Sequence, residues 1–237
     1  MKKRIWELDA LRGLCVIGMV AVHLVYDLAV MYRVVSWDLP EWFLLVQNWG
    51  GVLFLLISGI SATLGRRSFR RGVIVFGCGM LITAVTAAMY LLRMANAAII
   101  IYFGVLQCLG ACMMLWPLFK RLPWWVLTVL GISFVALGLW LSSLPGINGH
   151  WLMIFGLPDR YFLSADYFPL FPNLGYFLLG AAIGRTAYRS KESLLPKVNE
   201  NSAPLRFLKW WGKNSLFIYL AHQPILAGLC MLLSALI

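Results

Sequence analysis

Two ionisable residues in an apolar segment carry the clearest chemistry in this sequence. His23 lies in the middle of the apolar run 11–31, and Asp27 follows it by one helical turn. In a helix this spacing places both side chains on one face, where a carboxylate can fix the tautomer of an imidazole and raise its basicity. An ionisable side chain within a membrane span is a functional candidate by default. We therefore predict that His23 is a base or nucleophile oriented by Asp27; the alternative is that Asp27 lies near the outer headgroups and contacts only water.

Polar residues from other apolar segments lie at similar depths. At 1.5 Å per helical residue, His23 is roughly 16 Å and His222 roughly 13 Å from the inner boundary. The same count gives roughly 18 Å for Asn173, 20 Å for Gln107 and 12 Å for Ser58. If these side chains converge, they line a buried polar cavity in which His222 joins the catalytic group and the others contact substrate or an oxyanion.

Each of these residues also has a structural interpretation. Serine and glutamine side chains commonly join helices within a membrane by hydrogen bonds. His222 is followed by Gln223 and Pro224, and the three could instead serve a distortion of the helix. Both interpretations stay open on sequence alone.

Charged residues flank the inner ends of the first apolar segments. Asp9 and Arg12 have i,i+3 spacing, which fits either an anion-binding corner or an interfacial ion pair of little energetic value. Four arginines within six residues suit phosphate groups, although cytoplasmic loops are rich in arginine for topological reasons alone. These four are Arg66, Arg67, Arg70 and Arg71.

The elements that position these residues are predicted to be membrane-spanning helices. Of the 237 residues, 62% are hydrophobic and 12% are charged, and the mean hydropathy is +0.82. This composition excludes an ordinary soluble domain and predicts an all-α, polytopic transmembrane helix bundle. The connections leave no room for a soluble domain, so we predict one membrane domain over 1–237. The seven predicted spans are 11–32, 42–64, 72–92, 98–119, 124–143, 168–187 and 212–235.

The distribution of basic residues predicts the orientation. With a cytoplasmic N-terminus, seventeen of the twenty Lys and Arg residues lie in inner segments, and only Arg33, Arg93 and Arg160 lie in outer ones. The positive-inside rule therefore predicts a multi-pass protein of the cell (inner) membrane with its C-terminus outside. The net charge of +11 follows from topology and does not indicate a nucleic-acid partner. Met1, Lys2 and Lys3 precede a long run without a cleavage pattern, so we expect a retained first helix.

The remaining segments add two expectations. All five cysteines fall within predicted spans without a paired Cys/His framework, so neither a disulfide nor a metal site is predicted. The inner segment 204–211 is amphipathic and is expected to lie along the membrane surface. The outer loop 144–167 is rich in turn formers and aromatic residues, which either cover an outward-facing site or anchor the protein at the interface.

Four stretches of this chain resemble the catalytic membrane domain of the heparan-alpha-glucosaminide N-acetyltransferase family in its compact prokaryotic form, within the wider transmembrane acyltransferase group. The first is Leu-Asp-Ala-Leu-Arg-Gly-Leu at 8–14 with His23 downstream, and the second is Phe-Leu-Leu-Ile-Ser-Gly-Ile-Ser at 54–61. The third is Phe-Gly-Val-Leu-Gln at 103–107. The last joins Asp-Tyr-Phe-Pro-Leu-Phe-Pro at 166–172 with Asn-Ser-Leu-Phe-Ile-Tyr-Leu-Ala-His-Gln-Pro at 214–224.

The resemblance implies an enzyme that moves an acyl group, typically acetyl, from cytosolic acyl-CoA to a sugar amine or hydroxyl outside. His23 resembles the membrane histidine that the wider group places after its Asp-x-x-Arg-Gly motif. Arg12 and the four clustered arginines would bind the CoA phosphates, and Asp9 would belong to the same cofactor-binding corner as the ion-pair partner of Arg12. The expected partners are acyl-CoA, a sugar or glycan acceptor and membrane lipids, with no metal cofactor.

Two other functions fit an apolar bundle that contains histidines. A transporter or proton-coupled permease would also place ionisable residues within the membrane, although it predicts broken helices and internal repeats. In a non-catalytic membrane subunit the polar layer would only join helices. The sequence leaves the acceptor, the acyl chain length and the oligomeric state open.

Overall fold

The computed structural model describes residues 4–32, 34–36, 39, 41–146 and 150–236. Met1, Lys2, Lys3, Arg33 and the part of the outer loop at 147–149, on which some expectations above rest, lie outside these ranges. Within them the chain is helical, and its β structure is an isolated bridge between Phe103 and Tyr167. The all-α prediction is confirmed.

Eight α-helices follow one another within the described ranges. Helix α1 continues directly into a π-helix over Asp27–Met31, and short 3₁₀ turns occupy Ala97–Ile99 and His150–Phe155. The α-helices are α1 (Trp6–Tyr26), α2 (Glu41–Leu64), α3 (Ser68–Leu91), α4 (Val105–Phe119), α5 (Trp124–Ser143), α6 (Leu170–Thr186), α7 (Ala203–Lys213) and α8 (Ser215–Leu236).

Five of the described helices are long and apolar enough to cross a membrane, in agreement with a multi-pass membrane protein. They are Trp6–Met31, Phe43–Leu64, Ser68–Leu91, Trp124–Ser143 and Ser215–Leu236. The other two predicted spans form shorter helices, α4 with 15 residues and α6 with 17. The predicted start of α4 at 98 is wrong, because the helix begins only at Val105. The residues before Val105 pair instead with the segment before α6, where the backbone N–H of Phe168 donates to the carbonyl of Phe103 at 2.9 Å.

The chain divides into two compact units. The first comprises residues 1–54 and 190–237, and the second comprises 55–189. The division falls inside α2, so α2 contributes its first part to one unit and its second part to the other. The prediction of a single domain stays a prediction.

In the first unit, α1 packs closely against α7 through two glycines. A Cβ atom on Gly13 would lie 2.1 Å from the carbonyl oxygen of Leu208, and one on Gly212 would lie 1.7 Å from that of Asp9. Any side chain at either position would separate the helices, as in the small-residue contacts of other membrane bundles. The glycine of the motif at 8–14 therefore sets the distance between α1 and α7.

In the second unit, α5 packs on α6 and α3 on α4. The second part of α2 also lies against α6, where a Cβ atom on Gly59 would meet the carbonyl oxygen of Phe177 at 2.0 Å. The reciprocal contact is between Gly180 and the carbonyl oxygen of Leu56 at 2.1 Å. Phe177 and Leu178 of α6 are fully buried, so α6 forms the centre of this unit.

Candidate functional site

The two membrane histidines meet within the first unit. The ring centroids of His23 on α1 and His222 on α8 are 4.8 Å apart, and the rings meet edge to face at 61°. His222 is 8% exposed, and His23 is half-buried. Two residues almost two hundred positions apart in the sequence thus form one imidazole pair.

The backbone of α8 determines which nitrogen of His222 carries the proton. Its Nδ1 lies 2.6 Å from the carbonyl oxygen of Tyr219. A carbonyl oxygen can only accept, so Nδ1 is the donor and Nε2 of a neutral ring keeps its lone pair. Nε2 is buried and has no hydrogen-bond partner among the described residues. This unpartnered basic nitrogen is therefore free to accept a proton.

Asp27 lies where α1 changes from α-helix to π-helix. The backbone N–H of Tyr32 donates to the carbonyl of Asp27 at 2.9 Å, which is the i to i+5 bond of a π turn. Such turns occur frequently at functional sites. The carboxylate is 1% exposed and accepts from Nε2 of Gln223 at 3.1 and 3.3 Å.

Gln223 is a member of this cluster that sequence reasoning missed as a site residue. It directly follows His222, and its amide ties α8 to the carboxylate of Asp27 on α1. Its own Oε1 is buried and has no hydrogen-bond partner in the described part of the chain. Its position directly after the membrane histidine His222 was the signal in the sequence that could have identified Gln223 as a site residue. The described hydrogen bonds of Asp27 therefore lead to Gln223, while its predicted orienting action on His23 stays a prediction.

A carboxylate cluster lies at the N-terminal end of α1. Asp9 is 3% exposed and forms ion pairs with Arg4 (Nε to Oδ2, 3.1 Å) and Arg12 (Nη1 to Oδ1, 3.3 Å). Arg12 is thus partly neutralised by Asp9. Arg4, unlike Arg12, was not predicted as part of this corner.

Glu7 is a second buried acid at this end and was missed by sequence reasoning. Its two carboxylate oxygens accept from the hydroxyl of Ser193 at 2.9 Å and from the backbone N–H of Leu194 at 2.8 Å. These bonds attach the segment after Ser190 to α1. No spacing rule links positions so far apart in the sequence.

In the second unit, the side-chain amide of Gln107 joins α3 and α4 through hydrogen bonds that use both of its hydrogens. Its Nε2 donates to the carbonyl of Gly79 at 2.9 Å and to the hydroxyl of Thr83 at 2.8 Å. Its Oε1 accepts from the backbone N–H of Gly104 at 3.0 Å. Both amide hydrogens are in use, so this geometry favours the joining of helices for Gln107.

Asn173 and Ser58, two other predicted residues of the second unit, are also buried. Asn173 is 6% exposed and donates through Nδ2 to the carbonyl of Pro169 at 2.7 Å, which leaves it one amide hydrogen. Ser58 is 9% exposed. The four clustered arginines lie around the start of α3, and all four are exposed. The first unit therefore holds His23, Asp27 and His222, and also Asp9 and Arg12 at the N-terminal end of α1, while the second unit holds the remaining predicted groups.

Asp166 is a further residue that sequence reasoning did not assign to a site. Its Oδ2 accepts from the backbone N–H of Val105 at 3.0 Å, at the first residue of α4. A carboxylate is favourable at a helix N-terminus. Two of the stretches noted above, 103–107 and 166–172, thus meet at one place.

Comparison with known proteins adds one finding. The family model described as "Heparan-alpha-glucosaminide N-acetyltransferase, catalytic" matches residues 4–224. The match confirms the resemblance drawn from the sequence motifs. No curated protein and no solved structure matches the chain. Among the described residues, no group of three or more His, Cys, Asp or Glu side chains could hold a metal ion.

Proposed function

Because this chain belongs to the heparan-alpha-glucosaminide N-acetyltransferase catalytic family, whose name is that of a membrane acetyltransferase, we propose that it transfers an acyl group, normally acetyl, from cytosolic acyl-CoA to an amine or hydroxyl of a sugar. The acceptor lies on or near the outer side of the inner membrane. The reaction uses the imidazole pair of His23 and His222, and it uses no metal.

The observation that carries this proposal is the unpartnered Nε2 of His222, buried beside the ring of His23. A buried imidazole with a fixed tautomer is suited to accept a proton from an approaching amine or hydroxyl. Two imidazoles in contact also allow one to act on the acyl group while the other moves the proton.

The proposed transfer takes one of two forms, direct or two-step. In direct transfer, the base takes the proton from the acceptor, the acceptor oxygen or nitrogen bonds to the acyl carbon, and the carbon–sulfur bond breaks. The leaving CoA thiolate then receives that proton from the imidazolium. In the two-step form, a nitrogen of His23 first bonds to the acyl carbon, the carbon–sulfur bond breaks, and the CoA thiolate leaves with the proton of the imidazole. The acceptor oxygen or nitrogen then bonds to the acyl carbon, the bond to His23 breaks, and the acceptor proton returns to the imidazole. Asp27, which accepts from Gln223, lies in the same unit, where a carboxylate would favour the imidazolium.

Binding of the donor is assigned to basic residues. The phosphates of CoA suit guanidinium groups, which bind phosphate oxygens in bidentate fashion. Arg66, Arg67, Arg70 and Arg71 are exposed and available for that contact. Arg12 shares its charge with Asp9, so a phosphate at Arg12 competes with that carboxylate.

Three residues were predicted to contact substrate or oxyanion. Asn173 keeps one amide hydrogen after its bond to Pro169, so the oxyanion role falls to Asn173 in this proposal. The hydroxyl of Ser58 remains a candidate for contact with substrate. Gln107 is left out, since both of its amide hydrogens are bonded.

The test is transfer of radiolabelled acetyl from acetyl-CoA by the purified protein in lipid vesicles, with glucosamine and N-acetylglucosamine as trial acceptors. We expect His23→Ala to lose the transfer and the hydrolysis of acetyl-CoA. His150→Ala is the matched control, since His150 lies in the predicted outer loop away from the apolar spans. A rapid detergent quench at neutral pH during turnover separates the two forms of the reaction, because only the two-step form leaves acetyl on the protein. Wild-type rates in His23→Ala protein would overturn the mechanism.

A further inference from the structure

The second unit contains a pocket that the proposed reaction does not use. It has a volume of about 370 Å³, which is within the range of ligand sites. The walls come from the C-terminal end of α5, from the turns at 144–146 and 156–158, and from the segment 167–172 at the start of α6. It lies at the end of this unit where the predicted outer loop 144–167 begins.

The walls of this pocket offer apolar surface and hardly any free polar group. Two wall residues carry hydroxyls, and both hydroxyls are already bonded: Ser142 donates to the carbonyl of Leu139 at 2.8 Å, and Tyr167 donates to that of Met153 at 2.6 Å. The other wall side chains are those of leucines, prolines and Phe171, alongside glycines. A sugar or nucleotide would leave its own polar groups unsatisfied here.

The pocket is continuous with an exposed apolar surface of α5. Leu139 forms part of its wall and is 60% exposed. It belongs to Trp124–Ser143, one of the five helices able to cross a membrane. The neighbouring Trp140 is 59% exposed on the same helix. A hydrocarbon chain can therefore enter the pocket from the bilayer without crossing water.

One cation lies at the rim. The Nε of Arg160 donates to the carbonyl of Gly146, a wall residue, at 3.1 Å. This bond fixes the guanidinium beside the pocket, and the side chain of Arg160 is exposed. Arg160 forms no ion pair within the described ranges, and the nearby Asp159 instead accepts from the backbone N–H of Tyr161 at 2.9 Å.

We propose that this pocket is a binding site for an anionic phospholipid, with one acyl chain between the apolar walls and the phosphate on Arg160. Apolar walls with a guanidinium at the rim match the two halves of such a molecule. The site shares no residue with the imidazole pair and stands whether or not that pair transfers acetyl. It would bind a lipid in a fixed position rather than as part of the surrounding bilayer.

The chain position is tested by photolabelling. The full chain is reconstituted in phosphatidylcholine vesicles doped with a phosphatidylglycerol that carries a diazirine on its acyl chain, and the labelled peptides are mapped. We expect the label to concentrate at 138–146 and 156–172, and Ser142→Phe to lose most of it. Ser143→Phe is the control, because Ser143 makes the same kind of hydroxyl bond, to Trp140 at 2.7 Å, but does not line the pocket. If Ser142→Phe does not fold, Leu157→Trp fills the same space.

Label spread evenly over the lipid-facing helices would overturn the proposal, as would full labelling of a folded pocket-filled variant. The headgroup is tested separately by competition with unlabelled lipids. Phosphatidylglycerol should displace the probe better than phosphatidylcholine does, and Arg160→Gln should lose this preference while Arg160→Lys keeps part of it. An unchanged preference in Arg160→Gln would overturn the contact with the phosphate.

Discussion

The buried polar groups of the two units differ in their hydrogen bonding. In the described part of the chain, the buried side-chain atoms without a hydrogen-bond partner are Oδ2 of Asp9, Nε2 of His222 and Oε1 of Gln223, and all three belong to the first unit. The Asp9 oxygen has Arg4 as its ion-pair partner, so the other two stand out. In the second unit, the buried amide of Gln107 is saturated.

This difference in hydrogen bonding distinguishes a buried group that can act on a substrate from one that joins helices. A buried polar group without a partner costs free energy, and such groups tend to persist where function requires them. A saturated buried amide stabilises one packing of its helices and has no donor left for a substrate. His222 and Gln107 are both buried polar residues of apolar segments, yet their hydrogen bonding differs, and so we expect different consequences of substitution.

The largest expected effect is on the histidine pair. We expect His23→Ala and His222→Ala each to lower kcat/KM by about 10²–10⁴-fold, the usual contribution of a general base. The double variant should lose little more than the worse single variant, because residues that act as a unit are not additive. Steady-state acetyl transfer measures all three. Independent, multiplying losses would contradict a joint role, and the chemistry would then belong to one histidine.

The second effect is on stability. We expect Gln107→Leu to lower the free energy of unfolding by about 1–3 kcal/mol, because the carbonyl of Gly79 and the N–H of Gly104 lose their partner. Transfer per folded molecule should be retained. Denaturant unfolding in detergent measures the first quantity, and Gln47→Leu, at an exposed glutamine on α2, is the control. A stable but inactive Gln107→Leu protein would break the contrast between the units.

The smallest effect concerns Tyr167. Burial raises the pKa of this phenol from 10.0 to about 12, so the folded protein holds the neutral form that donates to Met153. We expect Tyr167→Phe to cost about 0.5–1.5 kcal/mol. The advantage of the wild type is fully present below pH 10.0 and is lost as pH rises from there through about 12.

Unfolding of both proteins across this pH range checks the prediction. Tyr161→Phe serves as the control, because Tyr161 is 90% exposed. A difference between wild type and Tyr167→Phe that does not shrink at high pH would show that folding does not raise the pKa of this phenol.

Sequence reasoning succeeded where a local pattern decides the structure. The predicted span 124–143 coincides with α5, and the amphipathic segment 204–211 lies within α7. Apolar length and periodicity act within one helix and need no partner. The start of α4 was wrong because the segment before Val105 pairs with one more than sixty residues away, and no local pattern contains that information.

The sequence by itself determined an all-helical membrane protein, its family and the histidines within its apolar segments, because composition, length and motif are properties of the chain. Only the tertiary structure decided which polar residues meet. Depth along a helix can be counted from the sequence, but the side on which a residue faces its neighbour depends on how helices pack. Packing brings the ring of His23 into contact with that of His222. It also places Gln223 where its amide donates to Asp27, and Gln107 where its amide donates to the carbonyl of Gly79.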